Sequence, residues 1–184
     1  MRRPLKIHPD SHTFATVDIE VAVARPRAAS LVLSYIVTGQ TGDLRLPPVK
    51  AATRSDDLWR HTCFEAFVRA ASGEGYYEFN FAPSTQWAAY RFDSYRGGMS
   101  AAFEVTAPAI EVRSGANSYT LQASLELDGL SVLPRGASWR LGMSAVIEDA
   151  GGGMSYWALA HPPGKPDFHH ADGFAYEFSP DRQS

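Results

Sequence analysis

Lysine occurs at only three positions in this 184-residue chain, Lys6, Lys50 and Lys165, and no run of Lys or Arg is present. A protein that holds a nucleic-acid backbone needs a basic face, and a formal charge of −3 supplies none. Cysteine is scarcer still. Cys63 stands alone, which excludes an internal disulfide and every multi-cysteine zinc or iron–sulfur site and fits a reducing compartment. No stretch approaches the ~20 apolar residues that span a bilayer, and no apolar run of signal-peptide length follows Met1-Arg2-Arg3. The expectation is a cytoplasmic, soluble protein with neither nucleic acid nor membrane among its partners. A Gly-rich phosphate loop, a nucleophile elbow and a His-Glu-x-x-His pair are all missing, so an ordinary enzyme is not expected.

Helical periodicity is nearly missing as well. What is present is alternation of period two, in a chain that is 45% hydrophobic and 12% aromatic and so able to bury a sizeable core. Val17, Ile19, Val21 and Val23 alternate with Asp18, Glu20, Ala22 and Ala24. Similar runs occupy 31–37, 62–69, 76–81, 87–93, 110–113, 119–127, 139–147, 154–159 and 174–178. Turn residues separate them, among them Ser72-Gly73-Glu74-Gly75, Gly97-Gly98 and Gly151-Gly152-Gly153. Roughly ten short strands joined in this way predict an all-β, antiparallel sandwich or barrel, not alternating βαβ units. The whole chain reads as a single domain, with residues 1–12 and 180–184 as frayed ends.

Two stretches carry more chemistry than a turn needs. One is the segment 56–67, where Trp59, Arg60 and His61 lead into a strand bearing Glu65. The other runs from Tyr156 and Trp157 into a proline-rich loop holding His161, Lys165, Asp167, Phe168, His169 and His170. Residues two apart in a strand share a face. The pattern therefore groups Cys63, Glu65 and Phe67 opposite Phe64, Ala66 and Val68, and Tyr76, Glu78 and Asn80 opposite Tyr77, Phe79 and Phe81. In 87–93 it reads Ala88, Tyr90 and Phe92 as inward and Trp87, Ala89, Arg91 and Asp93 as outward. One sheet face would then show Glu65, Asn80, Trp87 and Arg91 together. A carboxylate, an amide and a guanidinium beside flat rings suit a polyhydroxylated ligand. The same residues also fit a plain wet face with a Glu65–Arg91 cross-strand ion pair. Trp139 and Trp157 taken alone read as core, whereas Trp59, in polar company, reads as a ring platform.

With these segments on the page, 59–67, Tyr76-Tyr77-Glu78-Phe79-Asn80-Phe81-Ala82-Pro83 and 156–178 together resemble the DOMON-like proteins related to family 9 carbohydrate-binding modules. The likeness spans about residues 14–178. It implies a jelly-roll-like β-sandwich that binds a ligand without turning it over. It also implies a clamp of Trp59 and Trp157 and a polar set of Glu65, Asn80 and Arg91. The loop residues His61, Asp167 and His169 are candidates for additional contacts. Other members of that superfamily bind haem, for which Met143, His61 and His169 are the candidate axial ligands. Relatives with structural calcium use carboxylate-rich loops, and Asp56-Asp57 is the one candidate. The expectation is a non-catalytic binding domain for a small glycan, with neither metal nor cofactor. A haem- or metal-binding electron-transfer module and a protein-interaction domain are the alternatives.

Overall fold

The computed structural model describes residues 2–134 and 137–179. They form thirteen strands: β1 (Arg2–Pro4), β2 (Lys6–Ile7), β3 (Val17–Ala24), β4 (Ser30–Gly39), β5 (Cys63–Ala70), β6 (Tyr76–Phe81), β7 (Trp87–Phe92), β8 (Ser100–Ala101), β9 (Ala109–Gly115), β10 (Ser118–Glu126), β11 (Trp139–Glu148), β12 (Met154–Ala158) and β13 (Tyr176–Phe178). The described residues hold no α-helix, only 3-10 turns at Thr41–Asp43, Leu58–Arg60 and Ala171–Gly173. None of them is long or apolar enough to cross a membrane.

The strands make two antiparallel sheets that pack as a jelly-roll-like sandwich. The smaller runs β1-β3-β4-β10-β9 and the larger β2-β12-β11-β5-β6-β7-β8, with β13 also on β11. Alternation explains the core between them. Ile19, Val21, Leu33, Tyr35, Leu121 and Ala123 of the smaller sheet meet Phe64, Ala66, Phe79, Leu141 and Met143 of the larger, all essentially inaccessible to solvent. Each of the larger aliphatic and Phe side chains contributes about 1.5–3 kcal/mol on burial. The Tyr35 hydroxyl reaches across this core and donates to the Glu65 carbonyl at 2.6 Å.

The two outer faces differ, and this difference places the site. Strands of the smaller sheet alternate between buried and partly exposed positions, as β4 and β10 do. In the larger sheet β6 is buried at every residue, and β5 and β7 at all but one each. Its outer face carries a second apolar cluster of Phe67, Tyr76, Ala88, Tyr90, Phe92 and Phe174. The alternative of a plain wet face does not hold for this side of the sheet, which is covered, in part by residues 160–174. Gly142 permits the close approach of that segment, since a Cβ there would stand 3.1 Å from the Gly173 carbonyl.

Two sequence expectations change here. Residues 2–7, expected as part of a frayed end, form the edge strands β1 on β3 and β2 on β12. Behind them Asp149 ties residues 13–14 to the β11–β12 hairpin. Its carboxylate accepts from the Thr13 hydroxyl and from the backbone N–H groups of Phe14, Gly151 and Gly153, at 2.8–3.1 Å. In β7 the two faces are reversed from the expected assignment. Register pairs Ala89 with Phe79 and Arg91 with Tyr77, so Trp87 and Ala89 join the inter-sheet core while Tyr90 and Phe92 point outward. Both sides of this strand are apolar, which left the alternation without a direction. The expected frayed end at 180–184 lies outside the described residues.

Candidate functional site

The outer face of the larger sheet opens into a cleft of about 720 Å³. Cross-strand register builds its floor. Glu65 lies opposite Asn80 and Ser144, and Glu78 lies between Phe67 and Tyr90. Val146, Met154 and Tyr156 extend the floor along β11 and β12. The walls come from three connections: Asp57, Trp59 and Arg60 of the turn before β5, Arg96 and Met99 after β7, and Pro166, Phe168 and His169 of the late loop. Trp59 and Met99 stand at the rim, 49% and 59% exposed. Asp57 and Arg96 have left-handed backbone, with φ of 60° and 53°. That conformation is uncommon outside glycine, and both residues border the cleft.

The late loop is pinned by Asp167. Its carboxylate accepts from the Tyr95 hydroxyl at 2.5 Å, the Arg96 guanidinium at 2.8 Å and the His169 backbone N–H at 3.1 Å. Burial works against this charge, yet the Tyr95 and Arg96 hydrogen bonds hold the carboxyl below its ordinary range. The anchored loop delivers His169 onto the sheet. There the ring meets Phe67 and Phe92 edge-on at 5.0 and 5.1 Å. The Tyr76 hydroxyl accepts the Arg96 backbone N–H at 3.2 Å and is hydrogen-bonded to His169 Nδ1 at 2.8 Å. The other ring nitrogen, Nε2, stands 3.7 Å from Glu78 Oε2. Burial first, then the Arg96 charge, lowers the His169 pKa to about 4, so the ring is neutral.

The two floor carboxyls are unusual in their surroundings. Glu65 and Glu78 are 3% and 6% exposed. Glu65 Oε2 accepts from the Ser144 hydroxyl at 3.2 Å, and Glu78 Oε1 accepts from Asn80 Nδ2 at 2.8 Å. Neither has a Lys or Arg ion pair among the described residues. Burial, reinforced by the Glu78 charge, pushes Glu65 well above the carboxylate range. Burial likewise raises Glu78 to about 7, against the opposing Asn80 hydrogen bond and the Arg96 charge. The floor can therefore both donate and accept protons in hydrogen bonds near neutrality.

Of the residues singled out from sequence, Trp59, Glu65 and His169 line this cleft, and Asn80 lies beneath it on the same sheet face. Asp167 is turned to the loop's own anchoring. His61 belongs to a neighbouring recess of about 470 Å³, where its Nδ1 meets Glu148 at 2.8 Å. The register carries the other two away from the cleft. Arg91 sits on the opposite face, 3.6 Å from Asp93. Trp157 is in the inter-sheet core, 6% exposed, with its indole N–H on Ser155 Oγ at 2.9 Å. The haem candidates do not converge, since Met143 is in the core, His61 in the second recess and His169 in the cleft. Asp56 accepts from Tyr90 at 2.7 Å and Asp57 faces Arg60 at 3.4 Å, so the proposed calcium pair is already engaged. Among the described residues no group of three or more His, Cys, Asp or Glu is arranged to hold a metal.

Comparison with known proteins gives a fold. No family model matches the chain, and no curated protein matches it. Among solved structures it is similar to a candidate carbohydrate-binding protein from Bacteroides uniformis, with a TM-score of 0.62 at 15% identity over 94% of this chain and 83% of that one. Family 9 carbohydrate-binding modules from Caldicellulosiruptor kristjanssonii are more distant. The cellotriose complex gives a TM-score of 0.45 over 87% of this chain and 74% of that one, and the glucose complex 0.48 over 87% and 75%, each at 11% identity. At these identities only the fold is shared, a β-sandwich of the kind seen in the Bacteroides protein.

Sequence reasoning gives no ligand role to Phe67, Tyr90, Phe92, Tyr156 and Arg96, and points to Phe168 only as part of a ring-bearing loop. The signal for the first three was the apolar content of both faces of β5 and β7. A strand apolar on both sides is covered on both sides, so something must lie over the outer face. Arg96 and Phe168 are placed by loop anchoring through Asp167, which no local pattern encodes.

Proposed function

We propose that this cleft binds a small glycan or a similar polyhydroxylated ligand and does not turn it over. The observation that carries the proposal is the cleft itself, about 720 Å³. Rings form its sides, and the buried hydrogen-bonding groups Glu65 and Glu78 lie in its floor, backed by Asn80 and Ser144 beneath. A sugar offers an apolar C–H face to rings and an array of hydroxyls to acceptors and donors. The Bacteroides neighbour described as a candidate carbohydrate binder supports the same direction. Burial raises both carboxyls, and the nearby Arg96 guanidinium is bonded to Asp167 rather than to either of them, so the floor meets a ligand with free carboxyl groups rather than with an ion pair.

Trp59 is the residue on which to test this. Half exposed at the rim, it contributes little to the core. Its removal should weaken sugar binding by about 2 kcal/mol, some thirtyfold, and leave the melting temperature within about 1 °C of the parent. Calorimetric titration with a panel of mono- and oligosaccharides reads the first, and thermal unfolding the second. A panel in which no sugar binds the parent would sink the proposal.

A further inference from the structure

We propose that the ligand of this cleft presents a protonated amine to the Glu65–Glu78 floor, as an amino sugar does. This rests on reading the cleft as a glycan site. The argument begins with an inventory of donors and acceptors. Ser144 donates to Glu65 and Asn80 Nδ2 donates to Glu78. Against these two donors stand the remaining oxygens of both carboxyls and Asn80 Oδ1, which is completely buried without a hydrogen-bond partner. Tyr76 Oη and His169 Nδ1 are engaged with each other, and His169 Nε2 is 3.7 Å from Glu78, beyond hydrogen-bond reach. With its carboxyls ionised, the floor is thus rich in acceptors and poor in donors.

It is poor in cations too. The two guanidinium groups that line the cleft are committed elsewhere, Arg96 to Asp167 at 2.8 Å and Arg60 to Asp57 at 3.4 Å. Burial raises both carboxyls in the empty cleft, and a bound cation would draw them back into the ionised form. A hydroxyl would bring one donor and two acceptors into this floor, whereas an ammonium brings three donors, no acceptor and the missing charge. Rings favour the same choice. Register sets Glu78 between Phe67 and Tyr90, and aromatic faces attract a desolvated cation.

The test is calorimetric titration of the full chain with matched oligosaccharides of equal length and linkage: glucosamine oligomers, their N-acetylated counterparts and cello-oligosaccharides, with tetramethylammonium as a cation that is no sugar. Glucosamine oligomers should bind about tenfold or more tightly than either neutral series, and Glu65→Gln and Glu78→Gln should each erase most of that ratio. Neutral oligomers binding as well as the amines would overturn the inference and leave the glycan site standing. A preference that persists in both Gln variants would overturn the assignment to these carboxyls, and the parent's ratio is informative even where a variant does not fold. Tetramethylammonium binding with no sugar bound would keep the cation site and end the glycan reading. No binding by any probe would end both.

Discussion

Trp157→Ala is expected to destabilise the fold by about 3–5 kcal/mol, the ordinary consequence of emptying a large buried aromatic site. Trp157 pairs with Ala145 and Ile7 on the core side of β12, is 6% exposed and hydrogen-bonds Ser155. Its indole therefore fills the space between the sheets and cannot swing into the cleft without dismantling them. Urea denaturation of parent, Trp157→Ala and Trp59→Ala at one pH makes the comparison direct. The midpoint should fall sharply for the first variant and hardly at all for the second. A stable Trp157→Ala protein that no longer binds sugar would restore the two-tryptophan clamp that the family resemblance implies.

The second large effect is a pair of opposed pH dependences at one contact. Burial raises Glu78 to about 7, so between about pH 4.5 and 7 the folded chain holds a proton that the unfolded chain has lost. The associated stability is fully present below the unfolded value and disappears as pH rises through 7. His169 does the opposite. Its pKa, lowered to about 4, leaves the folded ring neutral where the unfolded ring is charged, so stability is lost as pH falls from about 6.5 to 4. At about 1.4 kcal/mol per pKa unit, each change amounts to about 3 kcal/mol, and in the parent the two largely cancel. Single variants should unmask them. Relative to the parent, Glu78→Gln should gain stability as pH rises from 4.5 to 7, and His169→Gln as pH falls from 6.5 to 4. Denaturant titrations at four or five pH values give both slopes. Variant curves that run parallel to the parent would show that these groups are not perturbed.

The sandwich was legible in the sequence because alternation and turn residues say the same thing at every strand from β3 to β13 apart from the two-residue β8. The short edges β1 and β2 were not. Two or three residues carry no period, and Arg2, Arg3 and Lys6 look like solvent-facing ends. The floor of the cleft was half legible. Glu65 and Asn80 were found because each alternates with aromatic neighbours, and Glu78 was passed over as an unremarkable sheet carboxylate. Arg91 and Trp157 were assigned to the ligand because composition names a residue's chemistry but not its face. Only the register of β7 and β12 fixes the face, and register is decided by pairing with strands distant in sequence. The lid over the cleft was visible as a loop dense in rings and histidines. Its anchoring on Tyr95 and Arg96 through Asp167 depends on two loops meeting in space.

The stretch of residues 2–7 lays one strand on β3 and the next on β12, so a single short segment closes an open margin of each sheet. Unpaired margins are templates for association between chains. The residues doing the closing are suited to it. Arg2, Arg3, Pro4, Lys6 and Ile7 are all exposed, three of them charged, and proline lacks the N–H that a further strand would need. Trimming this segment would uncover β3 and β12 together, with a strand's worth of free backbone on each of two layers. Protection of both margins then depends on half a dozen residues, of which Leu5 alone enters the core.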